Sequence, residues 1–196
     1  MGYYKEHAKE FIENTFECDM SELYRFFEKR LNNKGVILDI GFGSGRDSIY
    51  FKTKGYTVYS IDPEEAFINH AKTIGLCNVY CLKVEDMAFE NMFDGIWACA
   101  SLLHVNSNDL SYVFKKCYRA LKQNGIMYVS FKKGEFEGIR NSRYYLDLTE
   151  ESLNHYLQNT GLKTIEIKTT EDVRKECKDI WINAILIKEQ QTIRNV

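Results

Sequence analysis

Three glycines lie at alternate positions directly after an apolar run, in the stretch LDIGFGSGRDSIYF. Gly41, Gly43 and Gly45 form this G-x-G-x-G pattern, and Asp62 ends the next predicted strand. Glycine has no Cβ atom, so the backbone of such a loop can approach a ligand closely. A carboxylate on the next strand can accept hydrogen bonds from both hydroxyls of a ribose. The combination predicts a site for an adenosine-bearing ligand, with a glycine turn that binds nothing as the alternative.

Two charged residues beside the glycines distinguish between classes of adenosine ligand. A dinucleotide loop usually places its third glycine at the position of Arg46, where this chain has a long cation. Asp39 lies two residues before the first glycine and is predicted to point its carboxylate at an ammonium group of the ligand. These features favour an adenosine ligand that carries an amino acid. The predicted partner of Arg46 is Asp47, the carboxylate of the ligand or an anionic substrate.

Alternating strand and helix patterns position this loop. Strands are predicted at 36–40, 56–62, 78–84, 93–101, 125–131, 162–170 and 181–188. Helices are predicted at 4–16, 21–32, 46–54, 64–74, 108–121 and 150–159. We therefore predict an α/β fold with a doubly wound, mostly parallel seven-stranded sheet and an antiparallel edge. Residues 1–196 are expected to form a single domain, with an N-terminal helical lid at 1–34 over a core at 35–196.

Several ordered motifs give the chain a resemblance to a known family. Besides LDIGFGSG and Asp62, these are VEDM at 84–87, FDGIWACASLLHV at 93–105 and ALKQNGIMYVSF at 120–131. Asn124-Gly125 replaces the more usual Pro-Gly-Gly. The chain resembles the class I S-adenosylmethionine-dependent methyltransferases. The resemblance implies a Rossmann-like fold, S-adenosyl-L-methionine as cofactor and S-adenosyl-L-homocysteine as product.

The resemblance also implies which residues hold the cofactor. Asp62 would bind the ribose, Asp86 would meet the adenine amino group, and Met87 would meet the adenine ring. The full set of expected cofactor-binding residues is Tyr3, Asp39, Gly41, Gly43, Gly45, Arg46, Asp62, Pro63, Glu85, Asp86, Met87, Ala100 and Ser101.

A closer likeness is to small bacterial methyltransferases of the tellurite-resistance type. It is carried by GSGRDS, WACASLLHV, the lysine after SF and the two tyrosines near the N-terminus. This likeness points to a subfamily and does not make tellurite the substrate.

Three residues are predicted to act on the methyl acceptor: His104, Tyr4 and Arg143. His104 follows the fourth strand and would remove a proton from the acceptor or contact it; the alternative is a role in orienting its loop. Tyr4 and Tyr3 would fold over the site, or only anchor the terminus. Arg143 and Tyr144 follow the fifth strand and would attract an anion, with a solvated loop as the alternative. In-line methyl transfer needs alignment and exclusion of water more than acid–base chemistry.

The charge balance and one missing motif bear on the acceptor class. Lys plus Arg number 26 and Asp plus Glu 28, so no positive excess is available to hold a nucleic acid. After the fourth strand stands CASLLH, without the Asn/Asp-Pro-Pro-aromatic motif common in enzymes that methylate base amino groups. We predict a small-molecule acceptor. The alternatives are a nucleic-acid methyltransferase and a non-catalytic cofactor-binding protein, while the glycine spacing disfavours an NAD-dependent oxidoreductase.

The remaining expectations concern location and assembly. No run of about 18 apolar residues is present, and the N-terminus lacks the apolar core of a signal peptide. We expect no membrane partner, a cytoplasmic location, and a monomer or weak homodimer. The six cysteines include no CxxC pair and are predicted to be reduced, mostly buried thiols, with no metal site.

Overall fold

The computed structural model describes residues 3–31, 34–174 and 176–189, with side chains from His7 onward. The α-helices are α1 (Tyr3–Thr15), α2 (Ser21–Glu28), α3 (Arg46–Thr53), α4 (Glu65–Thr73), α5 (Ser107–Ala120) and α6 (Glu150–Tyr156). The strands are β1 (Val36–Ile40), β2 (Thr57–Asp62), β3 (Asn78–Cys81), β4 (Phe93–Ala98), β5 (Leu121–Lys132), β6 (Glu137–Arg140), β7 (Arg143–Leu146), β8 (Leu162–Glu171) and β9 (Ile180–Lys188). No helix in these ranges is long and apolar enough to cross a membrane.

Seven of the strands form one sheet in the order β3-β2-β1-β4-β5-β9-β8. The pairs from β3 to β5 are parallel, whereas β9 runs antiparallel to both β5 and β8. The predicted fold class, including its antiparallel edge, is confirmed. The strand order reverses between β1 and β4, and ligands of such sheets bind in the crevice at that point.

Neighbouring residues of the central strands point to opposite helix layers. On one face, Ile37 of β1 and Trp97 of β4 pack with Phe51 of α3. On the other face, Leu38 of β1 packs with Phe114 of α5. All five side chains are fully buried. Because the pleat alternates its side chains, a strand such as β1, which is buried on both faces, supplies both layers at once.

The two N-terminal helices take different positions on this core. α2 buries Tyr24 and Phe27 in the layer that also holds Trp97. α1 lies against α4, where the rings of Phe11 and Phe67 are 5.5 Å apart. α2 is therefore part of the core, and α1 is the N-terminal helix that lies near the end of the glycine loop.

The polar segment 132–143 is more ordered than the sequence predicts. β6 and β7 form a separate antiparallel hairpin that begins inside it. Arg140 donates two hydrogen bonds to Asp147, at 3.1 and 2.7 Å, and its guanidinium lies over the Phe136 ring. Each strand is only four residues long and β6 has no buried residue, so periodicity gives no strand signal here, although β7 buries Tyr145 and Leu146.

Two smaller predictions are corrected by the structure. The spacing of Asp19 and Glu22 predicts a capping box at the start of α2, and this prediction is wrong: Asp19 accepts from the backbone N–H of Ser21 at 2.8 Å, while Glu22 pairs with Lys168. The cysteines are also less buried than expected, since Cys117 is buried, two are exposed and three are half-buried. By contrast, Thr149 caps α6 as predicted.

Candidate active site

A cavity of about 410 Å³ lies at the carboxyl ends of the central strands. Its wall comes from the glycine loop, the ends of β2, β4 and β5, part of β9, helix α1 and the connection between β8 and β9. Asp62 marks the β2 side of the cavity, and Lys132 and Trp181 mark the β5–β9 side. The cavity therefore extends across several strands rather than occupying a single turn.

The three loop glycines do different things. All have positive φ, at +67°, +50° and +79° for Gly41, Gly43 and Gly45. Gly41 and Gly43 line the cavity, and added Cβ atoms there would meet Ser101 at 2.6 Å and Phe11 at 2.8 Å. Gly45 does not line the cavity and packs against a neighbouring element instead, so its predicted contact with the ligand stays a prediction.

The packing partner of Gly45 is the end of α4. A Cβ atom at Gly45 would lie 2.6 Å from the side chain of Ile74 and 3.4 Å from that of Leu76. The missing side chain thus lets the start of α3 approach the end of α4 closely.

Asp39 lies behind the loop and does not line the cavity. Its side chain accepts a hydrogen bond from Ser48 at 2.6 Å, and Ser48 is 2.8 Å from the hydroxyl of Ser60. Burial raises the pKa of this carboxyl, and the nearby charge of Asp47 raises it further. In this structure the carboxyl of Asp39 faces Ser48 of α3, and its predicted contact with a ligand stays a prediction.

Asp62 is the acid that faces the cavity. Its two oxygens accept from the backbone N–H groups of Gly43, at 3.1 Å, and Glu64, at 3.0 Å. Burial raises its pKa to about 6 although these two bonds oppose the shift. Each oxygen retains a second lone pair, so the side chain can accept two further hydrogen bonds.

Arg46 has the first of its predicted partners, the neighbouring Asp47. Its Nε and Nη2 atoms donate to the two carboxylate oxygens at 2.6 and 3.0 Å. Both residues line the cavity. Burial alone would raise the pKa of Asp47, yet that pKa is lowered because the guanidinium and further donors stabilise the carboxylate. The structure thus assigns Arg46 to an ion pair that holds the loop.

The end of β4 carries an unusual turn. Ala100 has a positive φ of +49°, which is sparsely populated for a residue with a Cβ atom. Its N–H donates to the hydroxyl of Ser130 at 2.8 Å. The next hydroxyl, Ser101 Oγ, is buried and has no hydrogen-bond partner among the described residues. Both Ala100 and Ser101 line the cavity, as predicted for ligand contact.

His104 and Arg143 both line the cavity beside the ring of Tyr145. The Nδ1 atom of His104 is 2.7 Å from the carbonyl oxygen of Tyr144, so Nδ1 carries the hydrogen. The imidazole ring lies edge-on to Tyr145, with centroids 4.9 Å apart. Burial, together with the positive charges of Arg143 and Lys132, lowers the pKa of His104 to about 4. His104 is therefore neutral at physiological pH.

The connection between β8 and β9 closes the β9 side. Lys132 pairs with Asp179 at 2.6 Å. Asp172 accepts two hydrogen bonds from the guanidinium of Arg174, at 2.9 and 2.7 Å, one from the backbone N–H of Arg174 at 2.9 Å, and one from Trp181 Nε1 at 3.0 Å. These paired charges and an indole ring form a polar wall.

Comparison with known proteins identifies the domain type. Residues 38–129 match the family model described as "Methyltransferase domain". A relative named as a methyltransferase is YqeM of Bacillus subtilis. It is 29% identical over 143 residues, covering 67% of this chain and 58% of that protein. Phosphoethanolamine N-methyltransferase of Plasmodium falciparum is 26% identical over 179 residues, covering 84% and 65%. The chain thus spans less than two thirds of the length of these curated relatives.

A solved structure shares the fold over nearly the whole chain. It is the 1,6-didemethyltoxoflavin-N1-methyltransferase of Burkholderia thailandensis, bound to 1,6-didemethyltoxoflavin and S-adenosylhomocysteine. Its TM-score is 0.78 at 20% identity, covering 94% of this chain and 84% of that one. Residues 38–129 thus match a methyltransferase domain, and the chain shares the fold of this solved methyltransferase.

The residues of this methyltransferase domain fit S-adenosylmethionine. Asp62 offers acceptor positions where ribose hydroxyls would donate, and Ser101 offers a buried hydroxyl that lacks a partner among the described residues. Apolar wall beside Asp62 comes from Pro63 and Phe67. Of the predicted contacts, Pro63 is thus in the wall of the cavity.

The predicted adenine contacts of the methyltransferase domain lie outside that wall. Glu85 and Asp86 form a short 3-10 turn, Val84–Asp86, and Asp86 is exposed. Met87 is only 1% exposed and packs in the main core. Their order in the chain follows the family motif, but here Met87 is a core residue.

The sequence does not predict the parts of the cavity wall that come from segments distant from the motifs. Phe11 and Thr15 of α1 line the cavity, as do Asp172 and Trp181 near β9. Their spacing gives only helix and strand signals, and no local pattern says which loop they will face. The side chains of Tyr3 and Tyr4 lie outside the described residues, so their predicted roles stay predictions.

Proposed function

We propose that the protein transfers a methyl group from S-adenosylmethionine to a small-molecule acceptor by in-line displacement. One observation carries the proposal: a single cavity joins Asp62, at the ribose side, to His104 and Arg143, at the acceptor side. Cofactor and acceptor would therefore meet inside one cavity. Alignment and exclusion of water supply most of the acceleration in such a displacement.

The chain's own groups would hold the two reactants. When bound, the cofactor supplies a methyl group on a positively charged sulfur. Asp62 accepts from the ribose hydroxyls, and the hydroxyl of Ser101 gains a partner at the middle of the cavity. Helix α1 contributes Phe11 and Thr15 to the wall and excludes water from that side.

His104, Arg143 and Tyr4 are the proposed acceptor contacts. Because His104 is neutral and its Nδ1–H is bonded to Tyr144, its remaining lone pair lies on Nε2. We assign His104 a hydrogen-bonding role toward an acceptor that arrives with an unprotonated nucleophile. Arg143 supplies positive charge beside it, and Tyr4 would approach from the start of α1.

The names of two relatives support a small acceptor. The Plasmodium relative is named for phosphoethanolamine and the Burkholderia neighbour for didemethyltoxoflavin, both small nitrogen compounds. The net charge of −2 gives no reason to expect a polyanionic acceptor.

The test is to follow the methyl group. The protein is incubated with methyl-labelled S-adenosylmethionine and a bacterial extract, and products are separated by a filter that retains proteins and nucleic acids. We expect protein-dependent label in the filtrate. Label confined to the retained fraction would replace the small-molecule acceptor with a macromolecule. Cofactor binding without label in either fraction would favour a non-catalytic binding protein.

A further inference from the structure

The carboxylate of Asp47 receives hydrogen bonds from three elements. Tyr24 Oη of α2 donates at 2.5 Å, Trp97 Nε1 of β4 at 2.8 Å, and Arg46 at the start of α3 donates from Nε and Nη2. The Asp47 side chain is only 10% exposed. We call these four residues the Asp47 node. Hydrogen bonds to a charged group are stronger than neutral ones, so the node fixes α2 and β4 to the glycine loop.

Arg46 extends the node to α1. Its Nη1 atom donates to the backbone carbonyl oxygen of Thr15, the last residue of α1, at 3.1 Å. A cation at a helix N-terminus is electrostatically unfavourable, and the pair with Asp47 offsets that cost. The same helix touches the loop again where Phe11 lies against Gly43. Arg46 and Thr15 both line the cavity.

We propose that Arg46 and Asp47 are positioning residues that couple cofactor binding to the fixing of α1 and α2 over the site. The loop that they hold is also the loop whose Gly43 N–H orients Asp62. A ligand that stabilises this loop therefore stabilises the helices attached to it. Coupling of this kind is reciprocal. If the bound ligand stabilises the attached helices, then a change that loosens the helices weakens cofactor binding. The identity of the ligand, S-adenosylmethionine, is taken from the proposed function.

A purely structural role for the node makes a different prediction. In that case, removing one of its bonds lowers stability and leaves cofactor affinity unchanged. Tyr24 discriminates between the two roles because it belongs to the node but does not line the cavity. Its hydroxyl can affect cofactor affinity through Asp47, or by moving α2, whose Leu23 lines the cavity.

The matched control is the ring stacked on Tyr24. Tyr50 lies 3.6 Å from Tyr24 between centroids, and its hydroxyl donates to Glu28 at 2.8 Å. Tyr24→Phe and Tyr50→Phe each remove one hydroxyl that links α2 to α3. Only the first hydroxyl ends on Asp47.

The experiment measures the dissociation constant of S-adenosylhomocysteine and amide hydrogen exchange in α1 and α2. We expect Tyr24→Phe to weaken binding about tenfold and to speed exchange in α2, with Tyr50→Phe like the wild type in affinity. Arg46→Met should speed exchange in α1 with or without ligand, and should reduce the protection that the ligand gives there.

The outcomes separate the inference from the proposed function. Wild-type affinity in Tyr24→Phe, or equal losses in Tyr24→Phe and Tyr50→Phe, overturns the coupling. If the wild type does not bind S-adenosylhomocysteine, the proposed function fails. The anchoring of α1 is then judged by exchange without ligand, and unchanged rates in Arg46→Met overturn it as well.

Discussion

At the scale of single residues, the neutral imidazole of His104 limits the chemistry of the acceptor side. A general base works best when its pKa lies near the working pH. Burial and two nearby cations lower the pKa of His104 to about 4, so it is a weak base. It stays neutral, with its Nδ1–H bonded to Tyr144, whenever the enzyme is at neutral pH. A fixed hydrogen-bond acceptor suits these properties better than a proton carrier.

The pH dependence of turnover tests that role. With saturating cofactor and acceptor, we expect kcat to show no ionisation of His104 between about pH 6 and pH 8. The imidazole is deprotonated across that whole range, because its lowered pKa lies below it. A limb near the ordinary histidine pKa of 6.5 that disappears in His104→Ala would show that His104 titrates as a base.

The two acids of the cofactor region show what residue types alone can tell. The sequence identifies both Asp39 and Asp62 as candidates, and Asp62 does face the cavity. Asp39 faces Ser48 instead. Both residues lie in or at the end of a parallel strand, where successive side chains point to opposite faces. The direction of the Asp39 side chain depends on the hydroxyl of Ser48, nine residues later, and no local motif predicts that contact.

At the scale of elements, the glycine loop both lines the cavity and allows two helices to pack closely. Gly41 and Gly43 line the cavity, whereas Gly45 lets α3 pack against the end of α4. Spacing predicts the loop, because positive φ angles at three alternate positions require glycine. It does not show which of the three faces the ligand.

Substitution of Gly45 separates these roles. Both Gly45 and Gly75 have positive φ, at +79° and +76°, so each pays the conformational penalty of alanine. A Cβ atom at Gly45 would also overlap Ile74, whereas at Gly75 the nearest side-chain atom is 4.0 Å away. We expect Gly45→Ala to lower the free energy of unfolding by about 1–3 kcal/mol more than Gly75→Ala, measured by urea denaturation. Equal losses would show that the packing contact with α4 is unimportant.

Most elements of the sheet domain follow from pattern, and the exceptions share a cause. Long apolar runs and glycine stops predict the strands and helices around the loop, and the antiparallel edge at β8 and β9 is confirmed. The hairpin of β6 and β7 is not predicted, because each strand is only four residues long and β6 has no buried side chain. Arg140 also binds Asp147 there, and a single contact between charged side chains leaves no periodic signal.

At the scale of the whole molecule, the active site is assembled from both ends of the chain. Helix α1 covers the glycine loop from one side, and the β8–β9 connection closes the other. Between them, the cavity follows the carboxyl ends of the strands from β2 to β9. The motifs predict the middle of this site, around Asp62, Ala100 and His104. The walls come from segments whose place is set only when the whole sheet has formed.

The assignment of this cavity to the cofactor is tested by a calorimetric titration with S-adenosylhomocysteine at neutral pH. We predict binding in the micromolar range, and a loss of about 10- to 100-fold in Asp62→Ala, because a buried carboxylate that accepts from the ribose is removed. Asp109→Ala, which removes an exposed carboxylate from α5, serves as the control and should bind like the wild type. Absence of binding to the wild type, or equal affinity in the wild type and Asp62→Ala, would contradict the assignment of this cavity to the cofactor.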